Sequence, residues 1–396
     1  MRRPELLRYH PNRFTASRDY FRALYDHYRS IVRPDGIMSV DEYQDLYTRF
    51  ARGYYNLHLL EVPVGKRPRN TKRLGDEFDL FCHVARFFLS GRNVFHFSAS
   101  LTGLLKLTDV DDVLWRSIKF PYQSFHIHFG AQDQWLLGDS EHLVDGAYLG
   151  EIPSPEFRAV DVMLTTRSEV PGDPSSWNYI LNADPYFYFP FQVEADDATV
   201  GDTFRQTLGT DADFDQAWVP TETPDEAKRV AAERGITLVS LPADSTAQGE
   251  KIRENAKRLP AFREALKLVV NCLCYLSSPS REVTARYPDS EITRAITEGG
   301  TALERARARN RASREGYTLI HFCGDSLERD HSASLSDRQL SAHWRRGHWR
   351  NQAVGPGRTE HNLIWIRPTL VRKDRVAEGV PGHVYDVIQG EPSKKR

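Results

Sequence analysis

The spacing of apolar residues changes along the chain, and this change constrains the fold more than any other feature. Between residues 93 and 194, apolar and polar side chains alternate with a period of two, in segments separated by Gly, Pro, Asp and Ser. Such alternation predicts the strands of a mainly antiparallel sheet. The predicted strands are NVFHFSAS, YQSFHIHFGA, FRAVDVMLTT, SWNYILNA and YFYFPFQVEA.

The segments before and after this predicted sheet in the chain have apolar residues at helical spacing. Residues 260–277 are apolar nearly all round, which predicts a buried helix, whereas residues 301–315 carry five Arg and predict a surface helix. Amphipathic or apolar patterns predict the remaining helices at 17–31, 39–58, 76–90 and 197–208, with a further strand at 316–324. The predicted fold class is therefore α+β, with N-terminal helices, a central sheet, a buried helix and a C-terminal β-hairpin.

A chain of 396 residues is long for one compact core, and we expect one large domain or two closely packed ones. The sequence suggests four regions. They are a helical N-terminal region (1–92), an antiparallel β-rich region (93–208), an acidic or charged insertion or arm (209–258) and a region with the buried helix and a basic aromatic hairpin (259–390).

The composition is that of a folded protein, with 40% apolar, 11% aromatic and 27% charged residues. The N-terminal residues have no apolar segment of the signal-peptide type, and the most apolar run, 266–276, is too short to span a bilayer. Four cysteines without C-x-x-C spacing indicate buried free thiols. We therefore expect a cytoplasmic protein without a membrane partner, a cofactor or a metal.

A formal net charge of −1 hides a strong separation of charge. Residues 341–373 carry seven basic side chains against Glu360, whereas residues 194–226 carry ten acids against Arg205. The acidic segment has three interpretations: a binding site for a basic peptide, a mimic of nucleic-acid phosphate, or a solvated surface loop. The surface loop is favoured, because charge runs usually serve solubility. The basic segment is the more informative of the two.

Residues 343–351 and 362–370 have strand-like composition and flank Gly355-Pro356-Gly357, which predicts a β-hairpin with a long loop. Alternation then places Trp344, Arg346, His348 and Arg350 on one face, and His343, Arg345, Gly347, Trp349 and Asn351 on the other. Each face is thus expected to mix a ring with cations. Trp365, between Ile364 and Ile366, is expected to be buried.

Interleaved Arg, His and Trp side chains match the needs of a single-stranded RNA site, because guanidinium groups bind phosphate and flat rings stack on bases. The same residues can instead cover a sheet or form cation–π pairs within the fold, and that interpretation has equal weight. The candidate residues for binding RNA or a partner are His343, Trp344, Arg345, Arg346, His348, Trp349, Arg350, Arg358 and Arg367.

A metal-independent ribonuclease is an alternative, in which His343 and His348 act as acid and base and Arg346 stabilises the phosphate. Strand alternation disfavours it, because positions 343 and 348 point to opposite faces unless a bulge at Gly347 re-aims one of them. His126 and His128 share one strand face, as metal ligands sometimes do, but no third ligand is evident. A sheet face covered by the arm or by a helix is the favoured interpretation.

HWRRGHW, followed after a Gly-containing loop by IWIRPTLV, resembles the C-terminal signature of the type V-A anti-CRISPR group that blocks production of the Cas12a-type effector nuclease. The matching positions are Arg345, Arg346, Gly347, His348, Trp349, Trp365 and Pro368. Segments upstream follow the same order as in that group. The resemblance implies a protein that engages the effector during translation, by recognising an N-terminal part of the nascent chain, and leads to loss of its message.

The sequence thus predicts a non-enzymatic inhibitor of gene expression that binds RNA or a ribosome–nascent chain complex. Two alternatives remain open at this point: the ribonuclease described above, and a protein-binding decoy that works through the acidic arm.

Overall fold

The structure, a computed structural model, describes twelve stretches of the chain. They are 7–16, 21–33, 38–59, 71–136, 142–153, 158–168, 186–193, 197–208, 245–314, 317–327, 343–358 and 360–371.

A mixed sheet of seven strands forms the centre of the described fold. Its strands are β1 (Val94–Phe97), β3 (Ser124–Leu136), β4 (His142–Pro153), β5 (Arg158–Ser168), β6 (Tyr186–Val193), β7 (Val283–Arg286) and β8 (Ile320–Cys323). They lie side by side in the order β6-β5-β4-β3-β1-β8-β7. Strands β3 to β6 pair antiparallel, as do β7 and β8, whereas β1 is parallel to both β3 and β8. The sheet is therefore mainly antiparallel, as predicted.

Helices cover both faces of this sheet and give the α+β class that the sequence predicts. The N-terminal layer consists of α1 (His10–Ala16), α2 (Phe21–Ile31), α3 (Val40–Leu59) and α4 (Thr71–Leu89). The opposite layer consists of α5 (Ala99–Lys106), α6 (Val200–Leu208) and α7 (Ser245–Ser277). Two further helices, α8 (Ser290–Thr297) and α9 (Ala302–Arg314), lie between β7 and β8 in the chain. None of the helices in the described ranges has the length and apolarity needed to cross a membrane.

The two helical layers enclose separate apolar clusters. Aromatic residues of the N-terminal helices, such as Phe50 and Phe81, pack on the face that carries Val94 and Met163. The long helix α7 packs its apolar residues, among them Leu266 and Leu273, on the other face. Helix α7 also runs through the boundary expected near residue 258, so part of the predicted arm continues directly into the buried helix.

One predicted strand ends earlier than expected, and some observed elements were not predicted. The segment NVFHFSAS was expected to be one strand, but β1 ends at Phe97 because the Ser98 hydroxyl accepts a hydrogen bond from the Leu101 amide and caps helix α5. Strand β4 was not predicted at all. The predicted strand at 176–183 and most of the acidic segment 194–226 lie outside the described residues, although α6, within that segment, buries Val200 and Phe204.

A polar layer lies between helix α1 and the sheet, among otherwise apolar contacts. His126 and His128 are almost fully buried there, and His96 is only 9% exposed. The rings of His96 and His128 lie 5.2 Å apart, and Tyr9 packs edge-on against both. A helix thus covers the face that carries the two histidines. No group of three or more side chains of metal-ligating type is arranged around an ion site among the described residues.

A buried ion pair connects α1 to the same face of the sheet. An Nη atom of Arg13 donates to Asp145 Oδ2 at 2.8 Å and to the Thr166 carbonyl oxygen at 2.8 Å. The Thr165 hydroxyl donates to Asp145 Oδ1 at 2.9 Å and lies 3.5 Å from His126 Nε2. The Nδ1 atoms of His126 and His128 have no hydrogen-bond partner among the described residues. The histidines are therefore buried with little to stabilise a charge.

Burial lowers the pKa of each of these three histidines, to about 3 for His96 and well below the ordinary value for His126 and His128. In the unfolded chain these histidines take up protons below about pH 6.5, whereas in the folded protein they stay neutral. Their contribution to the free energy of unfolding is therefore complete above that pH and is lost as the pH falls. We expect the free energy of unfolding to fall by about 1.4 kcal/mol per buried histidine between about pH 7.5 and 5.5.

Chemical denaturation at the two pH values measures this loss in the wild-type protein and in His128→Gln. The variant lacks one titrating group, so its pH-dependent loss should be smaller by one histidine's share, whatever its stability at neutral pH. Equal losses in both proteins would contradict the burial of His128 as a neutral ring.

Candidate functional site

The described part of the basic segment, residues 343–358 and 360–371, forms two short antiparallel strand pairs. Strand β10 (Gly347–Val354) pairs antiparallel with β11 (Glu360–Ile366), and β9 (His343–Arg345) pairs with β12 (Thr369–Val371). Gly355 and Gly357 adopt positive φ angles of 81° and 70° in the connecting turn, where glycine has no steric penalty. The predicted hairpin is therefore present, but its strands are interrupted after Arg345 and after Ile366.

The interruption has a steric cause at Gly347 and Pro368. A Cβ atom at Gly347 would lie 2.7 Å from Pro368 Cδ and 2.7 Å from Thr108 Oγ1, so only glycine fits there. The Gly347 amide donates to the Leu107 carbonyl oxygen at 3.0 Å, and β10 runs parallel to β2 (Thr108–Asp109). Pro368 has no amide hydrogen with which to continue the ladder. The chain therefore stops pairing with β12 after Arg345 and pairs with β2 and β11 from Gly347 onward.

Two tryptophans fill the inner face of the hairpin. Trp349 and Trp365 are directly opposite each other in the ladder, and their rings stack with centroids 5.8 Å apart. Their exposed fractions are only 9% and 8%, and Tyr275 of α7 packs edge-on against Trp365 at 6.0 Å. The burial of Trp365 agrees with the sequence prediction. Trp349 belongs to the core as well, although the sequence placed it among the candidate binding residues.

Hydrogen bonds from both indoles fix the hairpin to the rest of the fold. Trp349 Nε1 donates to Asn271 Oδ1 at 2.7 Å, and Asn271 Nδ2 donates to the Thr108 carbonyl oxygen at 2.9 Å. Trp365 Nε1 donates to Thr108 Oγ1 at 3.1 Å. Each buried polar group in this set has a partner, as burial requires. The hairpin is therefore held in one orientation against α7 and β2.

The outer face of the hairpin carries the cations. Arg346, His348 and Arg350 are exposed, and the outer-face neighbour opposite His348 is Ile366, which is 39% exposed. Arg350 donates to the Gln352 side chain on the same face. The described side chains follow the sorting that strand alternation predicts, with Trp349 on the inner face and Arg346, His348 and Arg350 on the outer face. The expectation that each face mixes a ring with cations stays a prediction, because it depends on Trp344, His343 and Arg345, whose side chains lie outside the described part of the structure.

Other predicted candidates lie at the ends of the hairpin. Arg358 is exposed in the turn, with a φ angle of 56°, and the Arg367 guanidinium lies 5.4 Å from the centroid of the Trp365 ring. The backbone of His343, Trp344 and Arg345 is in β9, whereas their side chains lie outside the described part of the structure. The catalytic arrangement of His343, His348 and Arg346 stays a prediction for that reason.

Two residues that complete the site were not predicted from the sequence. Thr108 and Asn271 make the contacts that orient the hairpin, yet neither belongs to the basic segment. One signal was present: an amide side chain in the middle of the apolar run LKLVVNCLCYL needs a buried hydrogen-bond partner. Nothing in the sequence indicated which indole would be that partner.

Two comparisons relate this chain to known proteins. A sequence profile of the AcrVA2-like family, described as the anti-CRISPR type V subtype A2 family, matches residues 95–373. Among solved structures, the crystal structure of AcrVA2 aligns over 91% of this chain and 95% of that chain, with 11% sequence identity and a TM-score of 0.40. A search of curated proteins found no match.

The family match covers the central sheet, the buried helix and the whole hairpin, which identifies the protein as a type V-A anti-CRISPR protein. The chain belongs to the AcrVA2-like family. The resemblance carried by HWRRGHW and IWIRP is thereby confirmed.

The stacked indoles should contribute strongly to stability. We expect Trp365→Ala to lower the free energy of unfolding by about 3 to 5 kcal/mol, because it removes a buried ring and leaves the Thr108 hydroxyl without its donor. Arg350→Ala, one residue from Trp349 along β10 but exposed, is the matched control and should change stability by less than about 0.5 kcal/mol. Denaturant unfolding measures both, and equal midpoints would contradict the burial of Trp365.

Proposed function

We propose that this protein lowers the production of a type V-A effector nuclease by engaging RNA at the translating ribosome through the outer face of its hairpin. The N-terminal part of the nascent effector is the second partner, by analogy with the anti-CRISPR group that the sequence resembles. The single observation that carries the proposal is the division of the hairpin into a ring-bearing inner face and an exposed outer face, on which the cations Arg346 and Arg350 flank His348.

This division defines the kind of RNA contact that the proposal requires. The rings of Trp349 and Trp365 are enclosed by the core and stack on each other, so the described hairpin offers charge to a ligand rather than a stacking platform. Guanidinium groups bind phosphate oxygens in a bidentate manner. A contact to phosphate carries no information about the base sequence. We therefore propose that the hairpin binds the phosphate backbone and that message specificity comes from another contact.

The rigidity of the hairpin supports a binding role. His348 and Arg350 are two residues apart on one strand, so they point in the same direction about 7 Å apart. The hydrogen bonds of Trp349 and Trp365 hold that strand against α7 and β2. Side chains that are oriented before binding lose less conformational entropy when a ligand arrives, which increases affinity without any additional interaction.

The double variant Arg346→Ala/Arg350→Ala tests the proposal. Both side chains are exposed, so the variant should melt like the wild type. It should nevertheless bind single-stranded RNA at least about tenfold more weakly at low salt, and it should no longer lower effector production in a co-expression assay. The slope of log affinity against log salt should fall by about 0.7 for each phosphate that the variant no longer binds.

The matched control is Arg22→Ala/Arg29→Ala, which removes the same charge from exposed positions of α2, on the other side of the sheet. Wild-type repression by Arg346→Ala/Arg350→Ala, or an equal loss in the control, would contradict a role for the hairpin. Each protein is also incubated with labelled RNA and a chelator. Cleavage by the wild type that is absent in His348→Ala would replace the binding proposal with the ribonuclease.

A further inference from the structure

Three aromatic rings meet at the start of strands β1 and β8, on the sheet face that carries helix α7. Phe95 of β1 and His321 of β8 are paired in the sheet, and their rings stack with centroids 4.7 Å apart and planes inclined by 22°. Tyr122, just before β3, places its ring 6.1 Å from the Phe95 ring and 6.1 Å from the His321 ring. The rings of Phe95, Tyr122 and His321 therefore form one ring cluster across neighbouring strands.

Two members of the ring cluster are accessible to solvent. Phe95 is only 4% exposed, whereas Tyr122 is 37% exposed and His321 is half-buried. Ala285, the partner of His321 on the edge strand β7, is exposed and carries only a methyl group. Phe95 thus supports the ring cluster from inside the fold, while Tyr122 and His321 present ring surface to solvent.

The polar atoms of these two rings remain available to a ligand. Within the described part of the chain, neither the Tyr122 hydroxyl nor the His321 imidazole makes a hydrogen bond. Burial lowers the pKa of His321, so its imidazole stays neutral at physiological pH and offers one donor and one acceptor. The exposed side of the ring cluster therefore combines flat apolar faces with hydrogen-bonding edges.

A cation lies close to the ring cluster. Lys119 is exposed, and no acid of the described residues pairs with its ammonium group. Its backbone amide donates to the Ser277 hydroxyl at 2.8 Å, which holds this segment against the end of helix α7. Three residues of chain span at most about 11 Å, so Lys119 stays within reach of a ligand that contacts Tyr122.

This combination of groups matches an unpaired nucleobase and its phosphate. Aromatic rings bind bases by stacking, because every base has a flat π-face. The edges of a base carry donors and acceptors that a hydroxyl and a neutral imidazole can bind, and an ammonium group can bind the neighbouring phosphate. An aliphatic peptide side chain would use only the ring faces. The ring cluster therefore favours single-stranded RNA over an aliphatic peptide.

The ring cluster also supplies what the hairpin lacks. Trp349 and Trp365 stack on each other inside the core, so the described hairpin offers no ring to a base. Tyr275 of α7 connects the two places: its ring lies 5.8 Å from that of Phe97, two residues beyond Phe95 on β1, and 6.0 Å from that of Trp365. The ring cluster and the hairpin are thus attached to the same packed rings and keep a fixed separation.

We propose that Tyr122 and His321 form a stacking site for an unpaired base of the RNA whose phosphates the hairpin binds, with Lys119 contacting a neighbouring phosphate. The inference rests on the proposed function, because it takes RNA as the ligand. It adds a contact to a base, which phosphate contacts cannot provide. Two linked surfaces bind one RNA more tightly than either alone, since binding at the first raises the effective concentration at the second.

The variant Tyr122→Leu tests the inference in the full-length protein. Leucine keeps an apolar side chain over Phe95 but removes the flat ring, whereas Tyr122→Phe keeps the ring and removes only the hydroxyl. The probes are a labelled single-stranded RNA and a stabilised abasic RNA of equal length. We expect Tyr122→Leu to bind the complete RNA at least about fivefold more weakly and the abasic RNA like the wild type, with an unchanged salt slope. Tyr122→Phe should stay within about twofold of the wild type on both RNAs.

Two further variants keep the test independent of the packing of Tyr122. Lys119→Ala removes an exposed cation, so it should melt like the wild type and lower the salt slope by about 0.7 on both RNAs. Tyr43→Leu is the matched control, because Tyr43 is 44% exposed on α3, in the helical layer on the other side of the sheet. It should bind both RNAs like the wild type.

Equal affinity of the wild type and Tyr122→Leu for the complete RNA would overturn the inference, and so would an equal loss on the abasic RNA. Weaker capture of ribosome–nascent chain complexes by Tyr122→Leu, with RNA affinity unchanged, would assign the ring cluster to a peptide instead. The proposed function fails separately. If Arg346→Ala/Arg350→Ala binds both RNAs like the wild type while Tyr122→Leu is weakened on the complete RNA, the hairpin proposal is overturned and the stacking site stands.

Discussion

The amide of Asn271 determines how the parts of this protein fit together. It accepts a hydrogen bond from the indole of Trp349 and donates one to the carbonyl oxygen of Thr108, inside the core. If this buried amide lost its partners, the fold would be destabilised by more than the net contribution of a single hydrogen bond. The Asn271 amide, the Trp349 indole and the Thr108 carbonyl group therefore require one another's positions. Helix α7, strand β2 and the hairpin are consequently fixed in one relative position. The direction in which the cations of β10 face follows from this position.

The C-terminal signature of the family separates into two physical roles. Gly347, Trp349, Trp365 and Pro368 shape the hairpin and bury its inner face, as their packing and steric contacts demonstrate. Arg346 and His348, the neighbours of Gly347 in sequence, face solvent. The alternation of a strand thus places structural and surface residues side by side in one motif. Around the start of β10, a substitution at position 347 or 349 therefore changes the buried face, whereas one at position 346, 348 or 350 changes the exposed face.

The sequence predicted those parts of the fold that rest on local periodicity. Helices α2, α3 and α4, the C-terminal half of α7 and the hairpin were visible as apolar spacing and turn residues. Strand β4 was not, because Gly146 and Gly150 interrupt its pattern; a Cβ atom at Gly146 would lie 2.4 Å from the Ile127 carbonyl oxygen. In the candidate site, the exposed arginines were predictable from composition. The burial of Trp365 was predictable from its apolar neighbours, whereas that of Trp349 was not, since its hydrogen-bond partner Asn271 lies 78 residues away along the chain.

The pairing of β10 with β2 joins Gly347 to Thr108, residues that are far apart along the chain. Strand β1 depends likewise on β8, where Val94 pairs with Ile320. Contacts of such long range form slowly, because a large loop must close before any contact stabilises it. During synthesis the N-terminal helices can fold early, whereas β10 has no β11 to pair with until residue 366 has left the ribosome. The cationic surface is therefore among the last parts of the molecule to mature, and a truncated or stalled chain would not possess it.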